Sequence, residues 1–465
     1  MDEGNWLEAR LIPTSGISGA EEQERRATSA LLAVMTAVRE FGRGLTQPLG
    51  APAGSLSAYI EVPFSVGKGK VYPDGLVRVQ RGKRTWTALV EVKTSTNTLA
   101  ADQLETYLDI ARDHGFDALM TVSNEIPPVA GQHPTAVDKK KTKKVALHHL
   151  SWSKVLTEAV MQKEHRGVAD PDQAWILGEL IRYLEHPRSG ALEFTNMGAS
   201  WVPVREAVSA GTLRTTDQGA AEVVSRFDAL LRYAGLRLGR QLGTDVIPAL
   251  TRAEVADPSR RAQSLLGSLT SEGVLEGGIC IPNTVGPMHV RVDMRAGQVT
   301  CHVDLDAPRE GRPTTRVNWL LKQLRHAPDT LRLESTAAYQ RGSGAAELLS
   351  DVREDPARLV VDPKKELRAF RVVMTTPMGS KRGRGRGGFI DSVLTVVDTF
   401  YADVLQHLKV WAASPPRMRE PVEIPPASPR SLTATAQSSQ DGPEPAPQGS
   451  DKDRTGERES TSRSD

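Results

Sequence analysis

Three residues in the first hundred carry the clearest chemistry in the chain: Asp74, within Tyr72-Pro73-Asp74-Gly75, and Glu91 and Lys93, within Leu89-Val90-Glu91-Val92-Lys93. Two carboxylates held close together repel unless a cation lies between them. Hard oxygen donors of this kind suit Mg2+ or Mn2+, which take one or two carboxylates and keep several waters and substrate phosphates. A lysine beside such a centre puts positive charge where a phosphate becomes more negative, or helps to orient an attacking water. The chemistry expected is metal-assisted hydrolysis. An isolated Glu-x-Lys on a strand is more commonly a cross-strand ion pair, so the surrounding elements decide.

Those elements follow from periodicity. Strands at 71–80 and 84–93 are joined at Arg81-Gly82-Lys83-Arg84, where glycine permits the positive dihedral of a tight turn. If the hairpin is symmetric about Gly82 and Lys83, Asp74 lies directly opposite Glu91. Opposed residues share a face, with Cβ atoms about 4.5–5.5 Å apart. Lys93, two residues beyond Glu91, shares it by the period-two rule. A helix over 20–43 precedes the hairpin and lines up Ala27, Leu31, Val34, Met35, Val38 and Phe41 on one face. A strand at 57–64 completes three in a row, and a helix over 100–113 and a strand at 117–123 follow. Further elements are a strand at 145–150 and helices at 151–163 and 172–184.

The Pro-Asp and Glu-x-Lys motifs, set in this α-β-β-β-α-β order, resemble the PD-(D/E)XK nuclease superfamily. The resemblance covers residues 20–150 and implies a restriction-endonuclease-like fold and a Mg2+- or Mn2+-dependent nuclease, with DNA the favoured substrate. It implies that Asp74, Glu91 and the Val92 carbonyl bind the metal while Lys93 assists the nucleophile. In that superfamily an acidic residue on the first helix often completes the site. Among Glu21, Glu22 and Glu24, Glu24 lies closest to the apolar face and is chosen for that role. Gln103-Leu-Glu-Thr-Tyr107 is similar to the Gln-xxx-Tyr motif of RecB-type members, which assigns Gln103 to orienting the site.

Two basic runs could grip a phosphate backbone. One is Lys139, Lys140, Lys141, Lys143 and Lys144, between elements of the same region; the other is Lys381, Arg382, Arg384 and Arg386, in an Arg/Gly stretch expected to be flexible. The latter contains G-x-G-x-x-G, but the helix after it leads to no further strand, so a dinucleotide-binding reading fails. His148 and His149 are adjacent on a strand and point to opposite faces, so they cannot chelate one ion together. Cys280 and Cys301 are read as possible neighbours across strands, and Trp86, Trp152, Trp175 and Trp201 as core.

Composition sets the outer bounds. The chain has 465 residues, enough for two or three domains. With Lys+Arg 59 against Asp+Glu 57 it is no polycation, so any nucleic-acid contact must come from local patches. Two cysteines exclude a disulfide scaffold and a four-cysteine zinc site. There is no P-loop, no H-E-x-x-H and no G-x-S-x-G. No signal peptide or membrane span is visible, which points to a cytoplasmic protein. The expected organisation is a nuclease-like α/β domain over 1–200, an accessory α/β (or α+β) domain over 201–412 that could hold a protein partner, and a disordered tail over 413–465. The competing expectation is a nuclease-fold protein that binds nucleic acid, or scaffolds a defence or stress-response complex, without cutting.

Overall fold

The computed structural model describes residues 7–8, 20–67, 69–127, 131–186, 188–191, 193–339 and 344–413, so all but the first residue of the segment expected to be a disordered tail lies outside the described residues. Residues 1–412 form one compact unit of mixed α/β structure. Among the described residues, no helix is long and apolar enough to cross a membrane.

The first sheet has six strands: β1 (Leu7–Glu8), β2 (Ser55–Ile60), β5 (Gly75–Arg81), β6 (Arg84–Val92), β7 (Ala118–Ser123) and β8 (Ala146–Ser151), adjacent in that order. A separate small hairpin, β3 (Phe64–Val66) with β4 (Gly69–Val71), lies between β2 and β5 in the chain. Pairings from β1 through β6 are antiparallel, and β6–β7 and β7–β8 are parallel. The change to parallel pairing needs a crossover, which α3 (Ala101–Asp113) supplies. The expected hairpin register holds, since Gly75 pairs with Val90 and Arg81 with Arg84.

The long run expected over 71–80 is interrupted at Pro73-Asp74. Proline cannot donate to a ladder, so β5 starts only at Gly75 and Asp74 sits at its mouth. The first helix also divides, into α1 (Ala20–Ala37) and α2 (Arg39–Thr46), because Val38 is extended. Gly42 allows the fold-back: a Cβ there would lie 2.1 Å from the Met35 carbonyl oxygen.

Helices cover both faces of this sheet. α1, α2, α4 (Trp152–Val160) and α5 (Pro171–Glu185) bury Leu31, Val34, Met35, Val155 and Leu180 against Val77, Ala88, Val90 and Val92. On the opposite face α3 packs Leu104, Tyr107 and Leu108 against Leu76, Leu89 and Leu119. Strand β6, apolar on both faces, is therefore central. Gly75 permits the tight packing at its edge, where a Cβ would meet Leu32 Cδ1 at 2.5 Å. Ser151 caps α4 by accepting from the Lys154 N–H, and Asp170 caps α5 ahead of Pro171.

The second sheet has seven strands, all antiparallel, in the order β14-β13-β15-β12-β11-β10-β9. They are β9 (Ile247–Ala249), β10 (Val274–Cys280), β11 (Met288–Asp293), β12 (Gln298–Asp306), β13 (Arg332–Ala337), β14 (Ala346–Leu348) and β15 (Leu367–Pro377). The helices of this half are α6 (Trp201–Ala210), α7 (Gln218–Leu242), α8 (Arg252–Ala256), α9 (Pro258–Glu272), α10 (Pro313–Gln323), α11 (Leu349–Glu354) and α12 (Phe389–Asp403). Val290, Cys301, Val303 and Val372 share a core with Phe227, Val393 and Val397 of α7 and α12. The alternate positions on β11 and β12 are polar, as expected of a half-covered antiparallel sheet. The helix expected after the Arg/Gly stretch is α12, which stops at Asp403. Trp86, Trp152 and Trp201 are buried as expected, whereas Trp175 is 62% exposed on the outer side of α5. Cys280 and Cys301 are both free and are not neighbours: β11 lies between their strands, and Cys301 pairs with Val290 and Met374.

Candidate active site

The hairpin brings Asp74 and Glu91 together on the face that α3 covers, at the end of β6 where the parallel strands also end. Asp74 Oδ2 accepts the Val92 N–H at 2.8 Å, which ties the loop before β5 to the end of β6. Glu91 is 1% exposed and occupies the side-chain row of Leu89. A purely structural strand would carry an apolar residue there.

Lys93 joins the pair. Its Nζ lies 2.7 Å from Glu91 Oε1 and 3.3 Å from Glu24 Oε2, so the first helix delivers its carboxylate to the same cation. One ammonium is thus shared between two carboxylates, with Asp74 close by. The Lys93 main chain is fixed on both sides, with its N–H donating to Val122 O at 2.8 Å and its carbonyl accepting from Trp152 Nε1 at 2.9 Å. Beyond it, Ser95 takes a positive φ of 54°, a conformation uncommon outside glycine. Its hydroxyl donates to Gln23 Oε1 at 2.6 Å, one residue before Glu24.

Electrostatics follow from burial without a counter-ion of sufficient charge. Desolvation raises the Asp74 carboxyl, Glu24 adds to this, and the Val92 N–H and Lys93 oppose it. Desolvation and the Asp74 charge push Glu91 up to about 8, against the pull of Lys93. Burial alone would lower Lys93, but Glu91, Asp74 and Glu24 outweigh it and hold the ammonium above its ordinary value. Desolvation and the Glu91 charge raise Tyr107 to about 12, while Gln103 opposes, donating from Nε2 to the Tyr107 hydroxyl at 3.0 Å.

Asp74, Glu91, Lys93 and Glu24 are thus gathered in one place, with the Val92 main chain bonded to Asp74. Gln103 reaches the cluster through Tyr107. One participant was not anticipated. Asn97 Nδ2 donates to Glu24 Oε1, and nothing in the polar loop 94–97 marks that contact in advance. Tyr107 stands under the carboxylates because α3 packs on their face.

The basic segments divide by pairing. Lys139, Lys140, Lys143 and Lys144 are exposed, whereas Lys141 is ion-paired with Asp109 of α3. The run at 381–388 is pinned rather than loose. Lys381 N–H donates to Gly387 O at 3.0 Å, Met197 N–H donates to Arg382 O at 2.9 Å, and Arg384 pairs with Glu193 and Asp391. Lys381, Arg382 and Arg386 are exposed. His149 is internally used, with Nδ1 2.9 Å from Thr121 Oγ1 and Nε2 2.9 Å from the Glu125 carbonyl. Comparison with protein-family models, with curated proteins and with solved structures gave no match to this chain.

Proposed function

We propose that this protein is a Mg2+- or Mn2+-dependent nuclease that hydrolyses phosphodiester bonds in DNA, in the cytoplasm, with residues 20–150 as a restriction-endonuclease-like core. The observation that carries the reading is Glu91, a carboxylate only 1% exposed, beside Asp74, with the single Lys93 ammonium at 2.7 Å shared between it and Glu24. Buried charge without full pairing is costly in a structural role, and perturbed acids of this kind cluster at functional sites. The element order supports the same reading, with a helix, three antiparallel strands, a crossover helix and a parallel strand.

The donor set fits a hard divalent cation. Asp74 and Glu91, with the Val92 carbonyl, would hold it, and when bound it supplies Lewis-acid stabilisation of the charge that develops on a phosphate. Lys93 places an ammonium beside that position, able to stabilise negative charge or orient a water. Glu24, itself held by Asn97, keeps the Lys93 side chain from swinging away. Tyr107 and Gln103 close the cluster on the α3 side and limit water around it. The exposed lysines of 139–144 and the exposed cations of 381–386 would bear on phosphates away from the cut.

The non-cutting alternative rests on a specific contact. Lys93 spans Glu91 and Glu24, so part of the negative charge is already answered within the chain. Calorimetry with Mg2+ and Mn2+, paired with cleavage of single- and double-stranded DNA and RNA, separates the two. Binding with metal-dependent cleavage supports the nuclease; neither binding nor cleavage leaves a nucleic-acid-binding or scaffolding protein.

A further inference from the structure

Away from the acidic cluster, the uncovered face of the second sheet gathers a different set of donors. Glu276 on β10, His289 on β11 and His302 on β12 stand on three adjacent strands, with His289 directly opposite His302 in the register. One ligand atom from each lies within 4.8 Å of the others. His289 Nδ1 is 4.0 Å and His302 Nε2 3.9 Å from the same oxygen, Glu276 Oε1. The imidazoles stack with centroids 4.9 Å apart and planes 11° from parallel.

The bonding around this trio is incomplete. The His302 side chain is only 7% exposed, yet neither it nor His289 makes a hydrogen bond among the described residues. Ring nitrogens left without a protein partner are open to a ligand. The neighbours are arranged around the gap. Arg291 Nη1 holds the other oxygen, Glu276 Oε2, at 3.2 Å and so leaves Oε1 facing the rings. The nearby Arg371 guanidinium is taken up by Asp304 through two contacts of 2.6 and 2.9 Å. Gly278, opposite His289 on β10, has no side chain, and a Cβ there would lie 3.6 Å from the ring and 2.7 Å from Ala249 Cβ.

We propose that Glu276, His289 and His302 form a binding site for a borderline divalent transition ion such as Zn2+. Two imidazoles and one carboxylate make the donor set that such ions prefer over Mg2+, and three protein ligands leave a coordination position open to water or another ligand. Donors around a tetrahedral zinc lie roughly 3.3 Å apart, so each imidazole nitrogen closes on Glu276 Oε1 by about 0.6–0.7 Å from its 3.9–4.0 Å, and the near-parallel rings turn so that their nitrogens converge on one ion. The partial exposure of Glu276 and His289, at 37% and 33%, gives the ion an entry from solvent. The site is independent of the proposed nuclease centre, which sits on the other sheet.

The test uses the full, untagged chain in chelator-treated buffer, titrated with Zn2+ by calorimetry and with Co2+ by visible absorption. The expected result is about one equivalent bound at micromolar affinity or tighter, weakened at least tenfold by His289→Ala and by Glu276→Gln. Asp74→Asn should leave this binding unchanged. Circular dichroism of each variant checks folding, and His289→Ala alters the more exposed ring, so the measurement survives if Glu276→Gln misfolds. Absence of Zn2+ binding, or equal binding by His289→Ala and the parent, overturns the site. Loss of Zn2+ binding in Asp74→Asn also overturns it by moving the ion to the first sheet.

Discussion

The two sheets each bring polar side chains together, and the two clusters respond to burial in opposite directions for one reason. In the first, burial raises Asp74 and carries Glu91 to about 8. In the second, burial, with Arg371 and His289 adding to it, lowers His302 to about 4 against the pull of Glu276 and Asp304. Desolvation disfavours the charged form, which is the anion for an acid and the cation for a base. Asp74, Glu91 and His302 are therefore each pushed towards the uncharged form, while Lys93 keeps its charge. The donors differ in kind. Carboxylate oxygens with an ammonium among them suit a hard cation and anionic phosphates, whereas imidazoles on an open face suit a borderline ion.

The sharpest break in that comparison would come from Asp74→Asn and Lys93→Ala. Removing the aspartate charge should abolish Mg2+ binding and cleavage together. Removing the lysine should leave Mg2+ bound at least as well, because a positive charge has gone, while cleavage falls on the order of 100- to 10,000-fold. Neither change should move Zn2+ affinity at the second sheet. Variants that cut like the parent would remove the catalytic assignment of this cluster.

A buried carboxylate with complete bonding offers the next comparison. Asp228 of α7 accepts three contacts of 2.5–2.9 Å from Arg261 of α9, and both side chains are at most 10% exposed. Arg261→Met keeps the bulk but strands the aspartate, so stability in urea denaturation should drop by about 3–5 kcal/mol. Glu91→Gln, which keeps the shape of a carboxyl that burial already pushes towards its neutral form, should cost far less. Equal losses would show that Glu91 is a structural ion-pair member like Asp228.

Much of the first cluster was legible in advance. The turn at Gly82-Lys83 sets the register, and the register places Asp74 opposite Glu91 with Lys93 on the same face. The choice of Glu24 also came from its place close to the apolar face of α1. What was not legible depended on loops and packing. Asn97 reaches Glu24 from a loop that turns at Ser95 with a positive φ, and the pinning of 381–388 depends on Met197 and Glu193 from a distant segment. The Glu276–His289–His302 cluster went unread for another reason. Each residue is a single polar position on an alternating strand, and only the meander β10-β11-β12 stacks the three in a row.

A third prediction concerns pH. Glu91 ionises near 4.5 when unfolded and near 8 when folded. Between those values the folded metal-free chain holds a proton that the unfolded chain has lost. The stability this group contributes is full below about pH 4.5 and disappears as pH rises towards 8. A glutamine stays neutral throughout, so the difference in stability between Glu91→Gln and the parent should grow in favour of the variant from pH 5 to pH 8. The expected change is on the order of 2 kcal/mol, read from urea midpoints in the presence of a chelator. Parallel curves for the two proteins would mean that Lys93 fully compensates Glu91.

The smallest effect applies the same distinction between satisfied and idle groups to the surface. Each lysine that neutralises a phosphate releases counter-ions, which steepens the fall of log K with log salt by about 0.9 per contact on duplex DNA. Lys141 is already committed to Asp109, whereas Lys139, Lys140, Lys143 and Lys144 have no ion pair among the described residues. Replacing these four with Gln should flatten the slope by up to roughly 3.6, in equal measure for unrelated sequences, since phosphate contacts carry no base information. Lys141→Gln alone should change the slope less than Lys143→Gln alone, because its charge is spent within the protein. Fluorescence anisotropy with a labelled duplex across a salt series makes the measurement. A Lys141→Gln variant that flattens the slope as much as Lys143→Gln would show that DNA draws the side chain off Asp109, and an unchanged slope in the fourfold variant would return the cluster to solvent.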